Sequence, residues 1–97
     1  IIVYPSRIEE IVREFEDVDE FQVVFKREGD LDEILVKIDP VPQLDHKVLD
    51  GFQEKIAKAL QLGLNIRTTV KMLEHGTLPR WDHKAKRFVD ERKDIPF

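Results

Sequence analysis

Apolar positions along the chain follow two different periods. Ile8, Ile11, Val12 and Phe15 recur at helical spacing, with Arg7, Glu10, Arg13 and Glu14 between them, which predicts a helix with one buried stripe. Ser6 and Glu9 have the spacing of a capping box, so the helix is expected to begin at Ser6. The β-prone run Ile1 to Tyr4, closed by Pro5, reads as a short strand before it. The period then changes to two. Phe21, Val23 and Phe25 share one face against Gln22, Val24 and Lys26, and Ile34, Val36 and Ile38 repeat the pattern against Leu35 and Lys37. Glu28-Gly29-Asp30 supplies turn chemistry between them, which predicts a hairpin. Asp39 to Asp45, with Pro40 and Pro42, is expected to be a loop.

A second helix is expected from Asp45 as N-cap to Gly63, burying Leu49, Phe52, Ile56, Ala59 and Leu60, with Gly63 in the left-handed position that ends it. Ile66, Thr68, Val70 and Met72 then alternate within a strand over Asn65 to Leu73. A loop follows at His75 to Pro79, and then a basic tail with one further short strand at Phe88 to Asp90. Strands with one apolar face and helices with matching stripes imply an α+β fold. The expected form is a ferredoxin-like antiparallel sheet with both helices on one face, in the order β-α-β-β-α-β.

Ninety-seven residues, 41% of them hydrophobic, support one modest core, so residues 1–97 are read as a single domain. The absence of cysteine excludes a disulfide framework and any thiolate chemistry. No run approaches a membrane span, and no targeting signal precedes the folded pattern, so the chain reads as an excised segment of a larger protein. The net charge of -4 argues against a nucleic-acid or membrane partner, but it conceals an asymmetry. Residues 1–45 carry 13 acidic against 5 basic side chains, and residues 46–97 carry 7 against 11. The basic excess gathers around Arg80, Lys84, Lys86, Arg87, Arg92 and Lys93.

The residues do not make up a self-sufficient active site. Gly29, Gly51, Gly63 and Gly76 are isolated, and none opens a helix as a phosphate-cradling loop would. His46, His75 and His83 lack metal-site spacing and are expected to be exposed, so no metal site is assigned. Three segments are more specific. Val3-Tyr4-Pro5-Ser6 precedes Ile8-Glu9-Glu10, Gly29 precedes Leu31-Asp32-Glu33, and Leu78-Pro79-Arg80 leads through Lys84, Ala85-Lys86-Arg87 and Asp90 to Arg92. In this order they resemble the opening run, the middle turn and the closing motif of the C-terminal domain of the phenylacetate-CoA ligase family, within the adenylate-forming superfamily. Trp81 and His83 depart from that pattern, and His83 stands where the family usually has glycine.

The resemblance implies a mobile lid on an ATP-dependent acid-CoA ligase acting on an aromatic carboxylic acid. By position, Lys84 would be the catalytic lysine of acyl-adenylate formation, with Arg80 and Arg87 as candidate nucleotide contacts. ATP, Mg²⁺ and coenzyme A would serve the full-length enzyme, with most contacts made by an N-terminal domain outside this chain. Tight binding of any of them to this chain alone is not expected. The rival reading is a free-standing ferredoxin-like module that binds a small molecule or regulates a partner. RNA binding through the sheet is disfavoured by the net acidity.

Overall fold

The computed structural model describes residues 3–29, 31–42, 46–66 and 68–92. Helix α1 spans Pro5–Val12, β1 Val18–Glu28, β2 Leu31–Pro40, α2 His46–Leu64, β3 Thr69–Met72 and β4 Phe88–Asp90. A single 3₁₀ turn, Lys84–Arg87, leads into β4. The strands form one sheet in the order β3-β2-β1-β4.

The α+β architecture and the central hairpin are as expected, with Phe21 opposite Ile38, Val23 opposite Val36 and Phe25 opposite Ile34. The sheet itself is mixed, not antiparallel throughout, because β3 pairs parallel to β2 and β4 pairs parallel to β1. The connections account for this: α2 carries the chain back along the length of β2 before β3 begins, as a crossover helix must for parallel neighbours. The strand expected at the N-terminus does not appear at Val3 and Tyr4, and Ile1 and Ile2 lie outside the described residues.

Both helices cover the same face of the sheet. Ile8, Ile11 and Val12 of α1 and Phe52, Ile56 and Leu60 of α2 are buried in one cluster with Phe21, Val23, Val36, Ile38 and Val70. Phe15 meets Phe52 edge to face, with ring centroids 5.9 Å apart.

Several expected boundaries move, each for a local reason. Tyr4 is the N-cap of α1 and no side chain caps it, so Ser6 lies inside the first turn, not at its start. Pro5 occupies the first helical position, where its fixed φ suits the helix and its missing N–H costs nothing. The expected N-cap of α2, Asp45, lies outside the described residues. Gly63 does not end α2. It sits inside the helix where a Cβ would come 2.5 Å from Ile11 Cδ1, so its missing side chain is what allows α1 and α2 to approach. The left-handed residue after the helix is Asn65, at φ 58°. β3 is shorter than expected, and β2 continues through Asp39 to Pro40, where the ladder ends opposite Val18.

Candidate functional site

The loop from Leu73 to the 3₁₀ turn returns to one end of the hairpin and is held there by carboxylates from β1 and β2. Asp39, with a fully buried side chain, accepts hydrogen bonds from the Gly76 amide at 3.0 Å and the Leu78 amide at 2.9 Å. The same carboxylate accepts from Arg80 Nη1 at 3.1 Å. Arg80 also donates to Asp19 at 2.6 Å and, through Nη1, to the Leu78 carbonyl at 2.7 Å. Gly76, at φ 86°, gives the loop the left-handed turn that brings these amides round.

Glu20 forms the second anchor. Its side chain is only 4% exposed, and it accepts from Arg87 Nε at 2.6 Å and Nη2 at 3.2 Å, a two-pronged fork. The Phe21 amide at 3.1 Å and Arg13 at 3.4 Å complete its shell. Arg87 also lies over the Phe21 ring, 5.6 Å from the centroid, and reaches Glu9 of α1 at 4.0 Å. A β-bulge between Val18 and Glu20 leaves Asp19 as the extra residue and sets Glu20 opposite Asp39 in the ladder.

Burial alone would push the Asp39 and Glu20 carboxyls up. For Asp39 the Arg80 guanidinium and the amides of Leu78 and Gly76 outweigh it, and the group is held below the usual carboxylate range. Hydrogen bonds from Arg87 and the Phe21 amide, with the charges of Arg87 and Arg13, do the same for Glu20. Both arginines are correspondingly raised, first by the hydrogen bonds to those carboxylates.

Arg80 and Arg87 are thus both engaged by acids of the sheet. Neither pairs with the acids nearest in sequence, Asp82, Asp90 and Glu91. Lys84 opens the 3₁₀ turn between them, closed by the Lys86 amide donating to the His83 carbonyl at 3.1 Å. The Lys84 side chain lies outside the described atoms. His83 is exposed and does not take the left-handed backbone that replacement of a glycine would suggest, since Asn65 is the non-glycine residue with positive φ among those described. Trp81 is half-buried.

The sequence did not point to Asp19, Glu20, Asp39 and His75 as a group. His75 Nδ1 donates to the Pro40 carbonyl at 2.9 Å and stands 3.7 Å from both Asp19 and Asp39. These three residues have ligand-type atoms within 4.8 Å of one another, but the Arg80 guanidinium already bonds both carboxylates, so the cluster serves a cation of the chain itself. Toward the other end of β1 a cavity of about 680 Å³ is lined by Val3, Phe25, Ile34, Ile66 and Phe88. Its rim carries the Arg92–Asp90 fork, at 2.6 and 2.8 Å, which holds the Asp90 carboxyl down at about 2. No helix among the described residues is long and apolar enough to cross a membrane.

Known proteins resemble this chain in sequence and in fold. Residues 1–92 match the family model described as AMP-binding enzyme C-terminal domain. A phenylacetate-coenzyme A ligase from Thermus thermophilus is 30% identical over 94% of this chain. Among solved structures, a 2-hydroxyisobutyryl-CoA ligase in its thioesterification state superposes with a TM-score of 0.83 at 26% identity over 93% of this chain. A domain of phenylacetate-coenzyme A ligase from Bacteroides vulgatus gives 0.81 at 23% identity over 96%, a likeness of fold. The chain spans 24% of the Thermus ligase and 20% of the 2-hydroxyisobutyryl-CoA ligase. An α+β sheet with both helices on one face, and a match running from the opening Val3-Tyr4-Pro5-Ser6 through the arginine-held loop, lead to one assignment: the chain belongs to the AMP-binding enzyme C-terminal domain family, and within it resembles phenylacetate-CoA ligases.

Proposed function

We propose that this chain is the mobile C-terminal domain of an ATP-dependent acid-CoA ligase acting in the cytoplasm on an aromatic carboxylic acid. In this reading it delivers Lys84 to acyl-adenylate formation and turns away for thioester formation. The observation that carries the reading is the placement of Lys84 at the start of a turn whose flanking arginines are both bound to buried carboxylates. Such a turn presents a residue in a fixed place without itself forming a pocket. The mobility finds support in the 2-hydroxyisobutyryl-CoA ligase, which has been solved in thioesterification, postadenylation and open states, this domain matching each with a TM-score of 0.76 or above.

When a carboxylate attacks the α-phosphate of ATP, negative charge accumulates on oxygens that already carry several charges. A preorganised ammonium stabilises that state more than the ground state. Lysine suits the role as a point charge. Arg87, with a side chain 13% exposed, is committed to the sheet, whereas Arg80, at 41%, keeps an edge that can contact a phosphate when the domain docks. The described loop holds no glycine-rich phosphate cradle, and the Asp19, Asp39 and His75 cluster is filled by Arg80. ATP, Mg²⁺, the acid and most of coenzyme A are therefore assigned to an N-terminal domain of the same protein, the partner this surface meets. The match over residues 1–92 weighs against a free-standing regulatory module.

The test is acid-dependent ATP–pyrophosphate exchange by the full-length ligase carrying Lys84→Ala, beside thioester formation from supplied acyl-adenylate. Exchange is expected to fall roughly a hundredfold to a thousandfold, with thioester formation much less affected. Lys86→Ala, at an exposed neighbour, is the control. Equal losses in both half-reactions, or from both variants, would remove the specific role of Lys84.

A further inference from the structure

We propose that Glu20 and Asp39 are positioning residues for Lys84, a pair of buried carboxylates on adjacent strands that grip the two ends of the segment from Arg80 to Arg87. The inference rests on the reading of Lys84 as the adenylation lysine.

The hairpin has no use of its own for these two acids. Like charges directly opposite on neighbouring strands repel, and a carboxylate withdrawn from water is tolerated only when paired and hydrogen-bonded. Yet Glu20 and Asp39 are register partners in the β1–β2 ladder, with side chains 4% and 0% exposed. Arg13 and the Phe21 amide, close in sequence, offset part of the cost at Glu20. The remaining countercharges arrive from far along the chain: Arg80 is 41 residues from Asp39, and Arg87 is 67 residues from Glu20. Both cations belong to the closing motif, and Lys84 stands between them. On the Arg80 side the grip is extended by the Gly76 and Leu78 amides, so Asp39 fixes a stretch of backbone as well as one side chain. On the Arg87 side the fork fixes a plane, and the Phe21 ring beneath the guanidinium limits its tilt. With both ends held, the residues between the two arginines have few conformations left, and the His83–Lys86 backbone bond closes the turn that Lys84 begins. A group that must meet a developing charge within a fraction of an ångström benefits from this support.

The experiment uses the full-length ligase with Glu20→Gln and Asp39→Asn, each alone and combined with Lys84→Ala. ATP–pyrophosphate exchange, thioester formation from supplied acyl-adenylate and the thermal midpoint are measured for each variant. A misplaced lysine predicts that each single variant loses about tenfold to a hundredfold in exchange while thioester formation stays near the parent rate. Glu20→Gln should not lower exchange further in the Lys84→Ala background, since Arg87 is committed to the sheet and the lysine is then gone, whereas Asp39→Asn can do so only through Arg80. Arg87→Lys keeps the charge but loses the fork, and it gives the same readings as Glu20→Gln should the carboxylate variants fail to fold. Parental exchange in the single variants would overturn the positioning role and leave the lysine reading standing. So would a Glu20→Gln loss that multiplies with that of Lys84→Ala, or equal losses in both half-reactions. Undiminished exchange in Lys84→Ala itself would overturn both.

Discussion

Beneath α1 and α2 the sheet is held by contacts that have no preferred direction: Ile8, Ile56, Leu60, Phe21 and Val36 exclude water almost completely and fit by volume. At the start of β1 the same sheet is held by bonds that have little else. Asp39 and Glu20 each accept from a guanidinium and from at least one backbone amide, and every one of those bonds fixes an angle as well as a distance. The comparison separates two tasks. An apolar core tolerates small shifts while supplying stability, whereas a charged anchorage supplies position at the cost of desolvation. A domain with the proposed role, presenting one residue to another domain, would use both, in different places.

The largest expected effect lies in the apolar region. Phe52→Ala removes a ring that is 9% exposed and should cost about 3–5 kcal/mol in urea unfolding, without altering the ratio of the two half-reaction rates in the full-length enzyme. A cost below about 1 kcal/mol would show that the core is not organised around α2 as described. In the charged region, Asp39→Asn should cost about 1.5–3 kcal/mol, because Arg80 retains Asp19. Its mark should be local, with faster hydrogen exchange at the Gly76 and Leu78 amides and little change in α2. Uniformly faster exchange would erase the distinction between the two regions.

Acid should distinguish them as well. Asp39 and Glu20 have folded values below their ordinary 3.8 and 4.5, so between the lowered and ordinary values the unfolded chain binds more protons than the folded one. Their contribution is complete above the ordinary values and is lost as pH falls through the folded ones. Unfolding free energy should therefore drop with pH below about 4.5, less steeply in Asp39→Asn and Glu20→Gln. An unchanged slope in both variants would mean that neither carboxylate is held as described. The smallest effect compares two helical glycines. Gly51→Ala, with nothing within 4 Å, should stabilise by about 0.5–1 kcal/mol. Gly63→Ala should gain less or destabilise, because its methyl must displace buried Ile11. Equal gains at both sites would deny the close approach of the helices.

The elements that could be read from the residues are those set by neighbours in sequence. Alternation located the hairpin, and the spacing of Ile8, Ile11 and Val12 located α1 and its buried face. The closing motif identified the loop. What escaped depends on residues far apart. Glu20 and Asp39 sit in the acidic first half of the chain and look like solvated charge until Arg80 and Arg87 return to cover them. Asp39 reads as the start of a loop because Pro40 and Pro42 follow it, yet β2 runs on through Pro40. Gly63 shows a different limit, since a glycine near the end of a helix reads alike whether it turns the backbone or admits a neighbouring side chain. Nor could the sequence show that β3 and β4 run parallel to their partners, because alternation carries no direction.

The long reach of the Glu20–Arg87 and Asp39–Arg80 pairs also sets an order of assembly. β1 and β2 are joined by a short turn and can meet early, whereas the pairs that neutralise their two acids close loops of 67 and 41 residues. Until the tail arrives the hairpin carries two facing carboxylates without these countercharges, so docking of the Arg80–Arg87 segment and addition of the three-residue β4 complete the fold at its end. The bonds that hold the Arg80–Arg87 segment lie largely apart from the helix-covered core, so local opening there would break charged pairs before it unpacks Ile56 or Leu60.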